Sequence, residues 1–257
     1  MNQEAALNAF YENEGVEEIR LMEGGAHYLE YLTATGFMDS LIPPGAAVLD
    51  NCAGTGAYAF YLAGRGCIVT AGDIVPHNVE IMRHKQKEHP VLADIYYGSA
   101  QQSPWEDASF DVVLCMGALY HIHEPQGRKQ AVLEAKRLVK PGGLVFFTYM
   151  NRYAVILNNT RDKVDNLEEI LEYAGHGREG IFHASTPEAM EALIAECGLE
   201  KRHHAALDGV SNFLHGTAGL IDDDGLAQWR RYHAVTNQVP SLLGYSYHNL
   251  IIAAAAA

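Results

Sequence analysis

Apolar residues recur along this chain in two rhythms. Over the first forty positions they fall at helical spacing, at Leu7, Phe10 and Tyr11, then Ile19 and Leu21, then Tyr28, Leu29, Tyr31 and Leu32, which predicts two or three helices. Pro43-Pro44-Gly45 breaks that pattern. From there short apolar runs of strand length alternate with amphipathic segments. Strands are expected over Ala46–Asp50, Cys67–Ala71, Ile95–Tyr97, Asp111–Met116 and Leu144–Tyr149, and helices over Tyr58–Ala63, His77–Glu88 and Gln126–Leu138. Such alternation builds a mostly parallel sheet covered by helices on both faces, with right-handed crossovers.

Beyond Asn151 the pattern loosens. Residues 152–182 are polar and dotted with glycine and read as an inserted cover with one helix near Leu167–Tyr173. Thr186-Pro187-Glu188 then combines a capping hydroxyl, a proline and an early carboxylate, the signature of a helix N-terminus, and Gly198 ends that helix. A strand near Arg202–Leu207, a second cover over Val210–Pro240 and a last strand at Tyr247–Ile252 complete the expectation. The reading is a single domain, with a helical cap (1–43), a core (44–150) and C-terminal strands with covers inserted after strands five and six (151–252). The alanine run 253–257 is left outside the fold.

Composition narrows the partners. The chain has 257 residues, enough for one sizeable core, and its formal charge of -14 repels phosphate backbones, so a nucleic-acid partner is not expected. Four cysteines form no C-x-x-C pair, and no secretory leader or bilayer-length apolar run is seen. A cytoplasmic protein with reduced thiols and no membrane partner is the expectation. Oligomeric state is not legible.

The strongest chemical signal is Val48-Leu49-Asp50-Asn51-Cys52-Ala53-Gly54-Thr55-Gly56, an apolar strand ending in an acid and a tight turn into a helix. Glycines there let the backbone approach a ligand closely. With Ala59 counted, the spacing also satisfies G-x-G-x-x-A, so a nicotinamide dinucleotide remains an alternative from this loop alone. Asp73 follows the second strand, where an acid meets a ribose diol in either cofactor class.

Further along come Gly98-Ser99-Ala100, then Phe110-Asp111-Val112-Val113 and Lys140-Pro141-Gly142-Gly143. With these landmarks in order, the segment from about Ala46 to Met150 resembles the class I, Rossmann-like S-adenosylmethionine-dependent methyltransferases, particularly their type 11 small-molecule branch. The resemblance implies a seven-stranded fold, S-adenosylmethionine as cofactor and a small-molecule acceptor methylated on O, N or S. It also implies cofactor residues: Asp50, Asn51, Cys52, Ala53, Gly54 and Gly56 at the methionine end, Asp73 at the ribose and Ile74 against the adenine. Ser99, Ala100 and Gln101 would edge the base, with Met116 and Gly117 beside the sulfonium. Two positions depart from the family pattern: Cys52 replaces its first glycine, and Ser99 its usual acid near the adenine.

Methyl transfer needs alignment and desolvation, and a base only when the nucleophile arrives protonated. His121, just past the fourth strand, is the candidate base, and Tyr11 and Arg20 of the N-terminal cap are the other catalytic candidates. His121-x-His123-Glu124 offers too few ligands for a metal, and none is called for. Phe213, Trp229 and Tyr232 are candidate linings of the acceptor pocket. Alternatives are methylation of a protein, a cofactor-binding protein without transfer activity, and a nicotinamide-dependent oxidoreductase.

Overall fold

Val48 and Leu49 are fully buried, on opposite faces of a central strand, which is why that stretch reads as continuous apolar sequence. The computed structural model describes residues 3–14, 25–162, 168–170, 181–211 and 223–256. Its strands are β1 (Ala47–Asp50), β2 (Ile68–Asp73), β3 (Asp94–Tyr97), β4 (Phe110–Cys115), β5 (Val139–Asn151), the two-residue β6 (Ala184–Ser185), β7 (Leu199–Ala206) and β8 (His248–Ala255). Their order is β3-β2-β1-β4-β5-β8-β7, with β6 beside the end of β5. Strands β3 through β5 run parallel, and β8 is antiparallel to both β5 and β7.

The helices are α1 (Gln3–Glu14), α2 (Gly25–Leu41), α3 (Ala57–Gly64), α4 (Pro76–Glu88), α5 (Pro125–Leu138), α6 (Arg152–Asp162), α7 (Pro187–Glu196) and α8 (Asp223–Thr236). One sheet face, with Val48, Leu114, Phe146 and Ile252, packs under α2, α3 and α4 through Met38, Leu62 and Met82. The other, with Leu49, Val113, Phe147 and Ile251, packs under α5 and α7 through Ala135, Leu138, Met190 and Ile194. The capping expected at Thr186 is present: its hydroxyl accepts from the Ala189 amide at 3.2 Å. No helix among the described residues is long and apolar enough to cross a membrane.

Several family landmarks prove to be fasteners. Asp111 accepts from the Ala47 amide and from Lys140 Nζ, at 2.8 and 2.7 Å, tying the start of β1 to the turn within β5, and these bonds hold its carboxyl below the usual range. A Cβ on Gly143 would sit 2.6 Å from the Asp111 carbonyl oxygen.

Two expectations need correction. Ala253, Ala254 and Ala255 are not outside the fold. They belong to β8, facing Val145 and Leu144 of β5 and Lys201, Glu200 and Leu199 of β7. Small side chains fit a strand enclosed between neighbours and helices on both faces, and no β-branched signal marks it. The chain after Asn151 enters a helix at once, α6, held by buried Ala154 and Val155, where a loose cover was expected. The helix expected near Leu167–Tyr173 lies outside the described residues except for 168–170.

Gly72 of β2 leaves the space that the Tyr96 ring fills, since a Cβ there would lie 2.2 Å from Tyr96 Cε1. Tyr96 is also tied through its hydroxyl to Asn51 Oδ1, so it cannot swing aside freely. Gly72→Ala is expected to cost about 1–3 kcal/mol, read as a drop of several degrees in melting temperature. An unchanged melting temperature would show that Tyr96 yields at no cost.

Candidate active site

At the C-terminal ends of β1, β2 and β4, where open α/β sheets place their ligands, lies a cavity of about 270 Å³. Asn51, Cys52, Ala53, Gly54, Asp73, Ile74, Ser99, Ala100, Gln101, Met116 and Gly117 line it, and so do Tyr11 and His121. Two of the expected residues do not reach the wall. Asp50 is 1% exposed beneath the loop, and Gly56 caps α3. Gly56 is still required there: its φ is +91° and a Cβ would meet the Phe60 ring at 2.9 Å. Arg20 lies outside the described residues, as does Phe213, whereas Trp229 and Tyr232 pack against each other at a tilt on α8 and do not line the cavity.

Asp73 organises the floor. Its Oδ2 accepts from the Gly54 amide at 2.8 Å, and its Oδ1 from the Val75 amide at 2.8 Å and Asn78 Nδ2 at 3.3 Å. One carboxylate thus fixes both the loop after β1 and the start of α4. Asn51 is held from the other side, where its Oδ1 accepts from the hydroxyls of Tyr96 and Ser103. The Ser103 amide in turn donates to Glu134, which Arg137 clasps from α5. Gln101, expected at the base edge, turns its Nε2 toward the Gly127 carbonyl at 3.2 Å.

Two buried polar atoms at the head of the loop, Asp50 Oδ2 and Asn51 Nδ2, have no hydrogen-bond partner. Asn51 lines the cavity, so its unpartnered Nδ2 donor suits the carboxylate of a ligand such as the amino-acid moiety of S-adenosylmethionine, while Asp50 lies buried behind it. Burial, reinforced by the Asp73 charge, pushes the Asp50 carboxyl up to about 7. Its ordinary value of 3.8 applies in the unfolded chain. As pH rises from there to about 7, the unfolded chain gives up this proton while the folded chain keeps it, so stability falls over that window. Asp50→Asn removes the penalty. The ligand-free variant is expected to melt above wild type at pH 8, with the gap narrowing at pH 5; a gap that is flat or widens at low pH contradicts this assignment.

The Cys52 thiol is also pushed up, first by its hydrogen bond with Cys115 and then by burial, so it sits in the loop as a neutral group.

His121 is held between the cap and the first cover. Its Nδ1 lies 3.0 Å from the Ile181 carbonyl oxygen and its Nε2 2.8 Å from the Tyr11 hydroxyl. A carbonyl only accepts, so Nδ1 carries the proton and the Nε2 lone pair receives the Tyr11 O–H. The rings of Tyr11, Tyr120 and Phe182 surround the imidazole, with centroids 5.7, 4.7 and 5.1 Å away. Thr55, inside the loop 52–56 expected at the methionine end, lines the cavity too, whereas Glu30, Tyr58, Asn78 and Thr148 complete much of the wall and were not anticipated. Asn78 lies close in sequence to Asp73. Glu30 and Thr148 arrive from α2 and β5 and carry no local signal.

The sequence matches the family described as a methyltransferase domain over residues 49–147. A ubiquinone biosynthesis O-methyltransferase from Paracidovorax citrulli is 38% identical over 126 residues, 46% of this chain and 50% of that one. Another so named, from Xanthomonas axonopodis pv. citri, is 37% identical over 189 residues, 73% of this chain and 72% of that one. The chain spans half the length of the first of these relatives. Among solved structures, a SAM-dependent methyltransferase from Methanosarcina mazei aligns with a TM-score of 0.60 at 16% identity, over 86% of this chain and 97% of that one. That likeness speaks for the fold.

Proposed function

From the premise that this chain belongs to the class I S-adenosylmethionine-dependent methyltransferases, we propose that it methylates a hydroxyl oxygen of a small molecule, with Tyr11 and His121 removing the proton. The observation that carries this reading is the Tyr11–His121 hydrogen bond within the same cavity as the loop after β1. The names of the two O-methyltransferase relatives support an oxygen acceptor. A net charge of -14 supports an enzyme that engages no nucleic acid, and four free cysteines support a reducing, cytoplasmic setting.

When bound, S-adenosylmethionine supplies a methyl group on a cationic sulfur. Asn51–Gly54 would hold its amino-acid end, with Asp50 behind them. Asp73 and Asn78 would face the ribose, Ile74 and Ser99–Gln101 the adenine, and Met116 and Gly117 the sulfur. The acceptor hydroxyl gives its proton to the Tyr11 oxygen as Tyr11 passes its own to His121 Nε2. The resulting imidazolium keeps its Nδ1–H on the Ile181 carbonyl, so the charge forms where an acceptor dipole already points. The surrounding aromatic rings leave the pair only partly exposed to water.

The test is transfer of a labelled methyl group to a panel of small phenols, alcohols, amines and thiols, with a protein lysate as competitor acceptor. Label on a hydroxylated small molecule is the expected result. Label confined to protein would overturn the small-molecule reading.

A further inference from the structure

Outside the active-site cavity, α2 and α8 together line a second cleft of about 520 Å³, a volume within the range of small-molecule sites. From α2 it is lined by Leu29, Leu32, Thr33, Gly36, Phe37 and Ser40, and from α8 by residues that include Ala227, Arg230, Arg231 and Ala234. Steps of three and four residues put each set on one stripe of its helix, so the cleft is the seam where the two helices face one another. Side chains do not fill it. A Cβ at Gly36 would meet nothing within 4 Å. The Gly36 backbone is not in the left-handed region, so the helix has no geometric need of glycine there, and what the residue leaves is room.

The two walls differ in chemistry. The α2 wall is apolar, with Leu29 buried and Leu32 and Phe37 half-buried. The α8 wall is cationic. Arg230 and Arg231 are exposed along it, and neither guanidinium has a hydrogen bond or ion pair among the described residues. In a chain with 32 acids against 18 lysines and arginines, a carboxylate is rarely far from a cation, and Arg65, Arg137 and Lys140 each hold one. Asp39, further along α2, is taken by Arg65 and the Tyr61 hydroxyl. An apolar wall opposite two free guanidiniums matches a ligand with an apolar body and an anionic group. The body loses water against Leu29, Leu32 and Phe37, and the guanidinium forks donate in pairs to carboxylate or phosphate oxygens. A bare inorganic anion or a neutral hydrocarbon would use only one wall.

We propose that the α2–α8 cleft is a second ligand site, which takes a small amphipathic organic anion: one carboxylate or phosphate on an acyl or aromatic body. The anionic group sits on Arg230 and Arg231, and the body lies along the Leu29–Phe37 stripe over Gly36. The site is separate from the active-site cavity, and the inference does not depend on the methyltransferase reading.

The probes are decanoate, its neutral counterpart decanamide, and inorganic phosphate, each titrated calorimetrically into the full chain at pH 7.5. Wild type is expected to bind decanoate about tenfold or more tightly than decanamide, as charge-assisted hydrogen bonds require, and to bind phosphate alone more weakly than decanoate. The double variant Arg230→Ala, Arg231→Ala removes two exposed side chains without partners, so it should fold as wild type does and lose that preference. Gly36→Trp fills the seam and should abolish decanoate binding without lowering the melting temperature, since glycine is a poor helix former. Wild type that does not prefer decanoate to decanamide overturns the proposal whether or not the variants fold. A preference that persists in the double variant, or decanoate binding unchanged in a folded Gly36→Trp, overturns it equally. Sedimentation with vesicles of phosphatidylglycerol and phosphatidylcholine separates a free ligand from a lipid headgroup. Arginine-dependent capture by the vesicles without binding of free decanoate overturns the small-ligand site in favour of an anionic lipid surface.

Discussion

Asp73→Ala is expected to weaken S-adenosylhomocysteine binding by about 10- to 100-fold, the range set by losing one or more hydrogen bonds to a charged group. The carboxylate has two tasks. On the proposed reading it would present an acid to the ribose, and it holds the Gly54 and Val75 amides in place. Removing it leaves two backbone donors without their acceptor, so the melting temperature of the ligand-free protein should fall as well. Asp73→Asn sharpens the test. An asparagine can keep its oxygen toward Val75 but then turns its NH2 toward the Gly54 N–H, donor against donor, so it is expected to be nearly as damaging as alanine. Calorimetric affinity together with a melting curve checks both parts, and an affinity unchanged in Asp73→Ala would remove this residue from the site.

His121→Ala is expected to lower kcat between about 10²- and 10⁴-fold, the usual contribution of a general base, with little change in cofactor affinity. Tyr11→Phe should fall in the same range, because the relay needs the phenol oxygen that sits 2.8 Å from Nε2. The double variant should be no worse than the poorer single one, since either change alone breaks the same proton path. Fully additive losses would mean that the two side chains act separately. A rate that is unaltered in both would reduce the pair to a clamp joining α1 to the Tyr120–His123 loop.

Most of the sheet was legible because the inner parallel strands β1, β2 and β4, buried on both faces, are short apolar runs bounded by turn residues. The cofactor loop was legible for a related reason: Gly54, Gly56 and the acids at 50 and 73 are fixed by backbone geometry close to them in sequence. What escaped depends on distance. Glu30 and Thr148 reach the cavity only because α2 crosses the carboxyl ends of the strands and β5 lies next to β4. Asp50 reads as a ligand contact, yet it is 1% exposed, one residue behind the wall. The alanines of β8 show no strand propensity, because their place is decided by neighbours on both sides. His121 was identifiable as a residue but not as an arrangement, since Tyr11 and Ile181 come from 110 residues before it and 60 after.

The central claim is that the cavity is built for a sulfur-containing nucleoside with an amino-acid tail, and titration calorimetry tests it directly. Purified protein is titrated separately with S-adenosylhomocysteine, S-adenosylmethionine and NAD. The account predicts one site per chain for each of the two sulfur ligands, with affinities in the micromolar range or tighter, and no heat from NAD. Silence from both sulfur ligands, or saturable binding of NAD in their place, would contradict it.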